Sequence, residues 1–485
     1  MSRVAGVSAA RRAATFYGWP LVGVAWLLYG LQVAGFYSWG FYLPEMSQDL
    51  SLTRAGGGIV FGVATFCAGA FAPLVGMAIS RFGLRAVMTS GFAVSALGYL
   101  ATSRAQSFWQ LLVIYGIFTA GTHAFATVVP TQTLASTWFI RYRARVLAVL
   151  LASAGIVAPL IFLFNARLLQ VATWRTGWVL IGILNLALAA IALAFVRNSP
   201  EEMGQLPDGA APDGGASTAG GRRDGRTEAR AVPSTAAASV PEPSPAGPAA
   251  VLASSSAAVP ATMAAAQPPA PATAPPASRL ASDGFTTAQA LHTPQFFLMV
   301  LSGLGYAVPW SVLNNHSRFH LQDIGFEIEA AAAILSSMAL VSTLGRLSGA
   351  LGDFLSPPRL LGIALTLEGL GCGLFLIAST PARAYTAVIL VGLGFGTAFI
   401  SQAATFAQFF GRRAFATTTG VRFFIGAFFS AFAPGIAGWL YDVRGSYTLP
   451  FLGLTALSLA GAAVAFVIRA PQPPAPGSAR VSASQ

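Results

Sequence analysis

Charge is scarce in this chain of 485 residues. Only 9% of them are charged, against about 25% in a soluble domain, so the chain cannot cover the surface of a water-facing globule. Lysine is missing altogether, and the 28 basic residues are all arginine. They exceed the 16 acids and give a net charge of +12. They stand singly, however, and not on one amphipathic face, which argues against nucleic acid as a partner. Cysteine is down to two residues, Cys67 and Cys372, both inside apolar runs. Neither a disulfide framework nor a cysteine metal site is expected. There is no GxxxxGK[ST] loop, no HExxH and no GxSxG, so nothing points to nucleotide hydrolysis or to a hydrolytic enzyme. No cofactor and no metal are expected.

What the chain has in plenty is apolar length. It is 55% hydrophobic with a mean hydropathy of +0.66, and a helix that crosses a bilayer needs roughly 20 apolar residues. That criterion predicts twelve spans, near 17–43, 55–79, 86–103, 108–132, 146–169 and 175–196, then 294–316, 330–351, 359–379, 383–408, 416–440 and 448–468. The fold class is all-α, a multi-pass membrane protein partnered by the lipid bilayer and expected to be a monomer. Its parts are a tail over 1–15, a six-helix set over 16–198, a linker over 199–291, a second six-helix set over 292–470 and a tail over 471–485. The linker is rich in Pro, Ala, Ser and Gly and cannot bury enough apolar area to offset chain entropy, so disorder is expected there. Basic residues precede the first apolar run, which is too long for a signal-peptide core and is expected to be the first span.

Arginine placement gives an orientation. If the twelve spans alternate from a cytoplasmic start, fourteen loop or tail arginines fall on the cytoplasmic side and seven outside, with five in the linker and two, Arg346 and Arg422, inside spans. The bias predicts both termini in the cytoplasm.

Two stretches occupy equivalent places in the two sets, "GMAISRFGLR" at 76–85 and "GALGDFLSPPR" at 349–359. Each follows the second helix of its set. They resemble the G-x-x-x-D-R-x-G-R-R loop signature of the major facilitator superfamily. The first copy keeps Gly76, Arg81, Gly83 and Arg85 with Ser80 at the acidic position; the second keeps Gly349, Asp353 and Arg359. The resemblance implies two bundles of six helices related as parallel repeats. It also implies that the loop acid pairs with basic groups to hold the cytoplasmic side closed.

"LVSTLGRLSGALGDFL", 340–355, puts Arg346 seven residues before Asp353. A continuous helix would carry it about 10 Å deeper at 1.5 Å per residue. A charge at that depth costs a few kcal/mol, and it faces a cavity or partner unless the side chain snorkels back to the surface. Three further stretches, "YGWPLVGVAWLLYGLQVAGFYSWGFYLPEMSQDLSLTRA", "STWFIRYRARVLAVLLASAGI" and "FAPGIAGWLYDVRGSYTLPF", resemble bacterial oxalate/formate-type and monocarboxylate transporters. In that branch an arginine of span 8 binds the substrate carboxylate, and Gly345-Arg346 matches it. A guanidinium fork suits a carboxylate bidentately. An acid one turn earlier and a lysine near the outer end of span 1 are replaced here by Ser342 and the region of Tyr37. Arg422 in span 11 is the candidate for a second cationic contact.

By the same resemblance, spans 1, 4, 7 and 10 line the cavity. Tyr29, Gln32, His123, Asn314, Asn315 and Gln402 are then candidate substrate contacts. His123 is a candidate proton relay, with a hydrogen-bonded packing role as the alternative. Glu368 lies mid-span in span 9. Facing lipid it would stay neutral, as a structural group or a proton site. His316 is expected near solvent at the outer end of span 7. Gly155 and Pro159 read as packing and kinking residues. Trp19, Trp109, Trp174, Trp439 and Tyr447 read as interfacial anchors. The expected function is secondary transport of a small organic anion, a mono- or dicarboxylate, across the bacterial inner membrane, coupled to protons or to a counter-transported anion. The alternatives are a proton-coupled exporter of hydrophobic drugs and a transporter-like ligand sensor.

Overall fold

The computed structural model of the chain describes residues 16–209, 285–348 and 355–471. Among these are twelve helices long and apolar enough to cross a membrane. The first six are α1 (Gly18–Leu50), α2 (Arg54–Phe82), α3 (Leu84–Thr102), α4 (Phe108–Trp138), α5 (Arg143–Val171) and α6 (Trp174–Phe195). The second six are α7 (Pro294–Asp323), α8 (Ile328–Arg346), α9 (Pro357–Leu376), α10 (Pro381–Gly411), α11 (Thr418–Arg444) and α12 (Thr448–Val467). Each predicted span has its helix. α10 passes into α11 through a bend at Gly411, whose φ of +68° favours a residue without Cβ.

Three predicted spans differ in a telling way. α4 is not continuous. It is π-helical over Leu112–Thr119, α-helical over Ala120–Ala124, broken at 125–127, and resumes over Val128–Trp138. Pro130, three residues after the break, lacks the N–H that would extend the earlier helix through it. α7 runs a further seven residues to Asp323, so Arg318, expected in an outer loop, is fully inside a helix. α8 ends at Arg346. A 3-10 turn continues over 347–348, and Gly349 and Asp353, against which the depth of Arg346 is expected, lie outside the described residues.

The core shows how the halves meet. One buried cluster draws on both, from Tyr37, Trp39 and Trp178 in the first to Val312, Leu321 and Phe451 in the second. It fills the end at which α1 and α7 finish, the outer end under the arginine bias. Toward the other end the core splits. One cluster, including Leu21, Trp138 and Leu188, belongs to the first half. The other, including Phe296, Phe406 and Ala465, belongs to the second.

The linker expected to be disordered carries structure at both ends. Pro200–Met203 and Pro207–Gly209 form short 3-10 turns. Asp208 accepts from the N–H groups of Ile140 (3.0 Å) and Arg141 (2.7 Å) and so fastens the α4–α5 loop. At the far end a capping box of Thr286 and Gln289 starts a short helix, Thr287–Leu291, and Phe285 packs edge-on against Phe410. These ends hold because each satisfies backbone donors or buries a ring. Residues 210–284 lie outside the described residues.

The expected membrane anchors divide. Trp19, Trp109 and Trp439 are exposed, as anchors should be, but Trp174 and Tyr447 are buried. Trp174 donates to Asp49 at 3.2 Å, and Tyr447 bonds His316.

Candidate functional site

A central cavity in two lobes lies between the halves. The first lobe, of about 340 Å³, takes its walls from α1, α2, α3, α4 and α5 of the first half, including Tyr29, Tyr37, Tyr99 and His123. Its one lining residue from the second half is Arg346. The second lobe, of about 240 Å³, is lined by α7, α10 and α11, with Tyr306, Trp310, Phe395, Phe399 and Arg422 among them. Phe36, Phe61 and Thr65 line both. No aspartate or glutamate lines either lobe among the described residues.

Arg346 owes its position to glycine. α8 and α10 cross at backbone contact: a Cβ on Gly392 would lie 2.7 Å from the Met338 carbonyl, and one on Gly345 would lie 2.8 Å from that of Leu393. On Gly396 it would strike the Ser342 carbonyl. Thr397 Oγ1 ties the crossing by donating to Gly345 O at 3.1 Å. The next residue, Arg346, is thereby set with its Cζ 5.8 Å from the rings of both Phe395 and Phe399. It makes no hydrogen bond or ion pair among the described residues, and it shares the lobe with the Tyr29 and Tyr37 phenols. It faces the cavity and does not snorkel.

His123 stands on the last helical turn before the break in α4. Gln32 holds it, with Nε2 2.9 Å from His123 Nδ1. With the amide donating, the neutral ring carries its proton on Nε2, and that nitrogen has no protein partner among the described residues. Gln32 is itself fully buried behind the lobe wall. Short π-helical segments often mark functional sites, and this one ends four residues before His123.

Arg422 is in a different state. It is 5% exposed, and its Nη1 donates to Tyr306 Oη at 2.9 Å and to Gln402 Oε1. Tyr306 also donates to Gln402 Oε1 (2.8 Å), while Gln402 Nε2 donates to the Met299 carbonyl (2.8 Å). Gly303 leaves the room Gln402 needs, since a Cβ there would lie 2.6 Å from its amide nitrogen. The Phe423 ring covers the guanidinium at 4.0 Å. Gln402 thus backs Arg422 and does not itself line the lobe.

Other expected contacts fall elsewhere. Asn314 and Asn315 line neither lobe. They sit where α7 crosses α1, with the Asn314 carbonyl pressed against Gly40. Asn314 Nδ2 bonds back to Trp310 O at 2.7 Å. Glu368 does not face lipid. It is fully buried between α9 and α10, with Gly394 against its backbone and Cβ, and neither carboxyl oxygen has a partner. His316 is not solvated but buried, with Nε2 2.8 Å from the carbonyl of Pro434 in α11. Extending α7 past residue 316 is what encloses it. Gly155 and Pro159 face α8: Gly155 admits Thr343, and Pro159 O accepts from Ser336 at 3.1 Å.

The first copy of the loop motif is bonded within its own half. Gly76 lies in α2. Gly83, at φ +82°, leaves room for the Asn198 side chain, which accepts from the Arg85 N–H at 2.9 Å. Arg85 Nε donates to Leu193 O at 2.8 Å. Arg81 stands in the last turn of α2, over the Phe82 ring, and Arg359 is exposed at the start of α9.

The outer end holds what the sequence did not single out. Arg318 of α7 pairs with Glu45 of α1. Arg54 of α2 meets Asp323 of α7 with two bonds of 2.6 and 2.8 Å. Asp442 of α11 accepts from the N–H groups of Arg54 and Ala55 at 3.1 and 2.9 Å. α2 and α11 touch there at Gly58 and Pro434. These contacts join the two halves at the end where α1 and α7 finish. Farther along, a Cβ on Gly69 of α2 or on Gly426 of α11 would meet nothing within 4 Å.

The family model of the Major Facilitator Superfamily matches residues 25–433, with a second match over 295–484. The chain belongs to that superfamily. This superfamily member is a multi-pass membrane transporter and not an enzyme. Among curated relatives, monocarboxylate transporter 13 of Rattus norvegicus is 32% identical over 171 residues, 34% of this chain and 39% of that protein. Its counterpart in Bos taurus is 28% identical over 169 residues, again 34% and 39%. The match thus spans under half the length of these relatives. Among solved structures, a bacterial homolog of the human lysosomal transporter Spinster, inward-facing and occupied, superposes with TM-score 0.64 at 13% identity, covering 93% of this chain and 96% of that one. The nucleoside transporter NupG gives TM-score 0.65 at 12% identity, covering 93% and 99%. At such identities these two show the fold alone.

Proposed function

We propose that this transporter moves a small organic anion bearing a carboxylate, by alternating access between the two halves. The observation that carries the reading is Arg346. It is a guanidinium from the second half, set into a lobe otherwise walled by the first, with no hydrogen bond, ion pair or lining acid among the described residues. Arg346 is half-buried, and a cation partly withdrawn from water without a partner is costly; a carboxylate entering the lobe would relieve it with a two-pronged bond. Tyr29, Tyr37 and His123 supply donors on the facing wall. A site drawing on both halves also lets cargo bias the rocking of one against the other. Relatives called monocarboxylate transporters support the same class.

In this reading both termini are cytoplasmic, the membrane is a bacterial inner membrane, the chain works as a monomer, and 210–284 tethers the halves. The motif loops at 76–85 and 349–359 close the cytoplasmic side in the alternate state. His123 is the proton relay if transport is proton-coupled. A carrier for cationic drugs fits less well, because an acid in the cavity would be needed and Glu368 lies behind α10. The test is carboxylate uptake by proteoliposomes. Arg346→Ala and Arg346→Lys are expected to abolish it while the protein still elutes as a folded monodisperse species. Undiminished uptake by either variant would overturn the reading.

A further inference from the structure

We infer that the cavity is built for an anion with a single carboxylate on a ring-bearing, apolar body. This rests on the carboxylate reading above and narrows it. The first argument is the count of usable forks. A carboxylate takes a guanidinium either end-on, through both Nη groups, or side-on, through Nε and Nη2. Arg346 has no hydrogen bond or ion pair to give up among the described residues, and it lines the first lobe. Arg422 offers neither approach. Its Nη1 is committed to Tyr306 and Gln402, and its Nε is buried without a partner. Arg422 is part of the wall, held by a phenol, an amide and the Phe423 face. Two carboxylates would compete for one fork, and the second would sit against apolar side chains.

The second argument is the wall. Trp310 and Phe395 stack with centroids 3.8 Å apart and planes 9° apart, presenting a flat slab to the second lobe. Phe399 continues it, and Phe36 and Phe61 face both lobes. Phe395 lies beneath Arg346 and also lines the second lobe, so the carboxylate seat and the aromatic slab adjoin. A ring attached to the carboxylate would leave water for that slab and gain in proportion to the apolar area covered.

The third argument is size. A water molecule takes about 30 Å³ in the liquid, so a lobe of about 340 Å³ has room for on the order of ten such volumes. An acid of two or three carbons would leave most of these walls bare.

Calorimetric titration of the purified full-length chain tests this with four probes. Acetate and phenylacetate present the same carboxylate without and with a ring; oxalate and succinate add a second carboxylate. Phenylacetate is expected to bind at least tenfold more tightly than acetate, and neither diacid more tightly than acetate. This comparison needs no variant. In Phe395→Ala, the phenylacetate Kd should rise by a larger factor than the acetate Kd, so that the preference for the ring-bearing acid shrinks toward one. Equal affinities for acetate and phenylacetate, or tighter binding of oxalate or succinate, would overturn the inference and leave the Arg346 carboxylate site standing. Failure of all four probes to bind folded wild-type protein would overturn both.

Discussion

Arg318 in α7 and Glu45 in α1 close the outer end of the cavity from opposite halves of the fold. The guanidinium is 1% exposed, bonds both carboxylate oxygens and also reaches the Phe41 carbonyl. The Phe41 ring covers it at 4.5 Å. Under the proposed alternating access and orientation, a state open to the outside would part these residues, so the pair would stabilise one conformation against the other as well as the fold against the unfolded chain.

Glu45→Gln should leave Arg318 buried with no counter-charge. Breaking a buried pair from one side costs about 3–5 kcal/mol. Part of that cost is avoided if the outer end opens and water reaches Arg318. We expect a lower melting temperature together with a broader distance distribution between spin labels at the outer ends of α1 and α7. Unchanged distances and stability would remove the pair from the seal.

Asp442 lends its carboxylate to the first two N–H groups of α2, across the seam, where an anion also meets the positive end of the helix dipole. Asp442→Ala is expected to cost about 1 kcal/mol, the usual range for a lost helix cap, and to favour the outward-open state. Cysteine accessibility at the outer end of α2, measured with a membrane-impermeant maleimide, should rise. An unchanged labelling rate would show that the seal does not need this cap.

Much of the fold was legible because the bilayer makes length and hydropathy decisive. All twelve helices lie where apolar runs of spanning length lie, and Arg346, Tyr29 and His123 do line the cavity. What could not be read depends on neighbours remote in sequence. Nothing local in Asn314 and Asn315 tells that they meet Gly40 of α1, or in His316 that Pro434 of α11 offers it a carbonyl. In the sequence Tyr37 marks only the region where a lysine is missing, yet it lines the same lobe as Arg346. Nothing in their flanking sequence marks Glu45, Arg54, Asp323 and Asp442 as partners across the two halves. Tyr306 had one available signal, an aromatic hydroxyl on the same face of α7 as Ser302, but the glycine-lined space that brings Gln402 to it is a tertiary fact.

Gly396 offers a way to move Arg346 without touching the cavity. Its position opposite the Ser342 carbonyl leaves no room for a methyl group, and both partners are backbone, so α8 and α10 must part. Gly396→Ala is expected to destabilise by about 1–3 kcal/mol, the usual cost of overpacking. It should also weaken carboxylate binding more than Gly453→Ala, a control in α12 where an added Cβ meets nothing within 4 Å. Matched melting temperatures and affinities for the two variants would mean that the crossing does not position Arg346.

Glu368 decides between a structural acid and a proton carrier. Its two carboxyl oxygens have no partner, and helix backbone closes over it at Gly394. An ionised carboxylate placed there without donors would cost several kcal/mol, so the seat suits the neutral acid. Glutamine has nearly the same shape and no charge. If Glu368 only fills the seat, Glu368→Gln should keep uptake within about twofold of wild type and leave its pH profile in place, with at most the 1–3 kcal/mol loss expected of an unsatisfied amide. If Glu368 carries the coupled proton, the same variant should lose the dependence of uptake on an imposed pH gradient while still exchanging labelled carboxylate across the membrane. The carboxyl's burial on the far side of α10 from both lobes favours the first outcome. Uptake driven by a pH gradient in wild type but not in Glu368→Gln would overturn it.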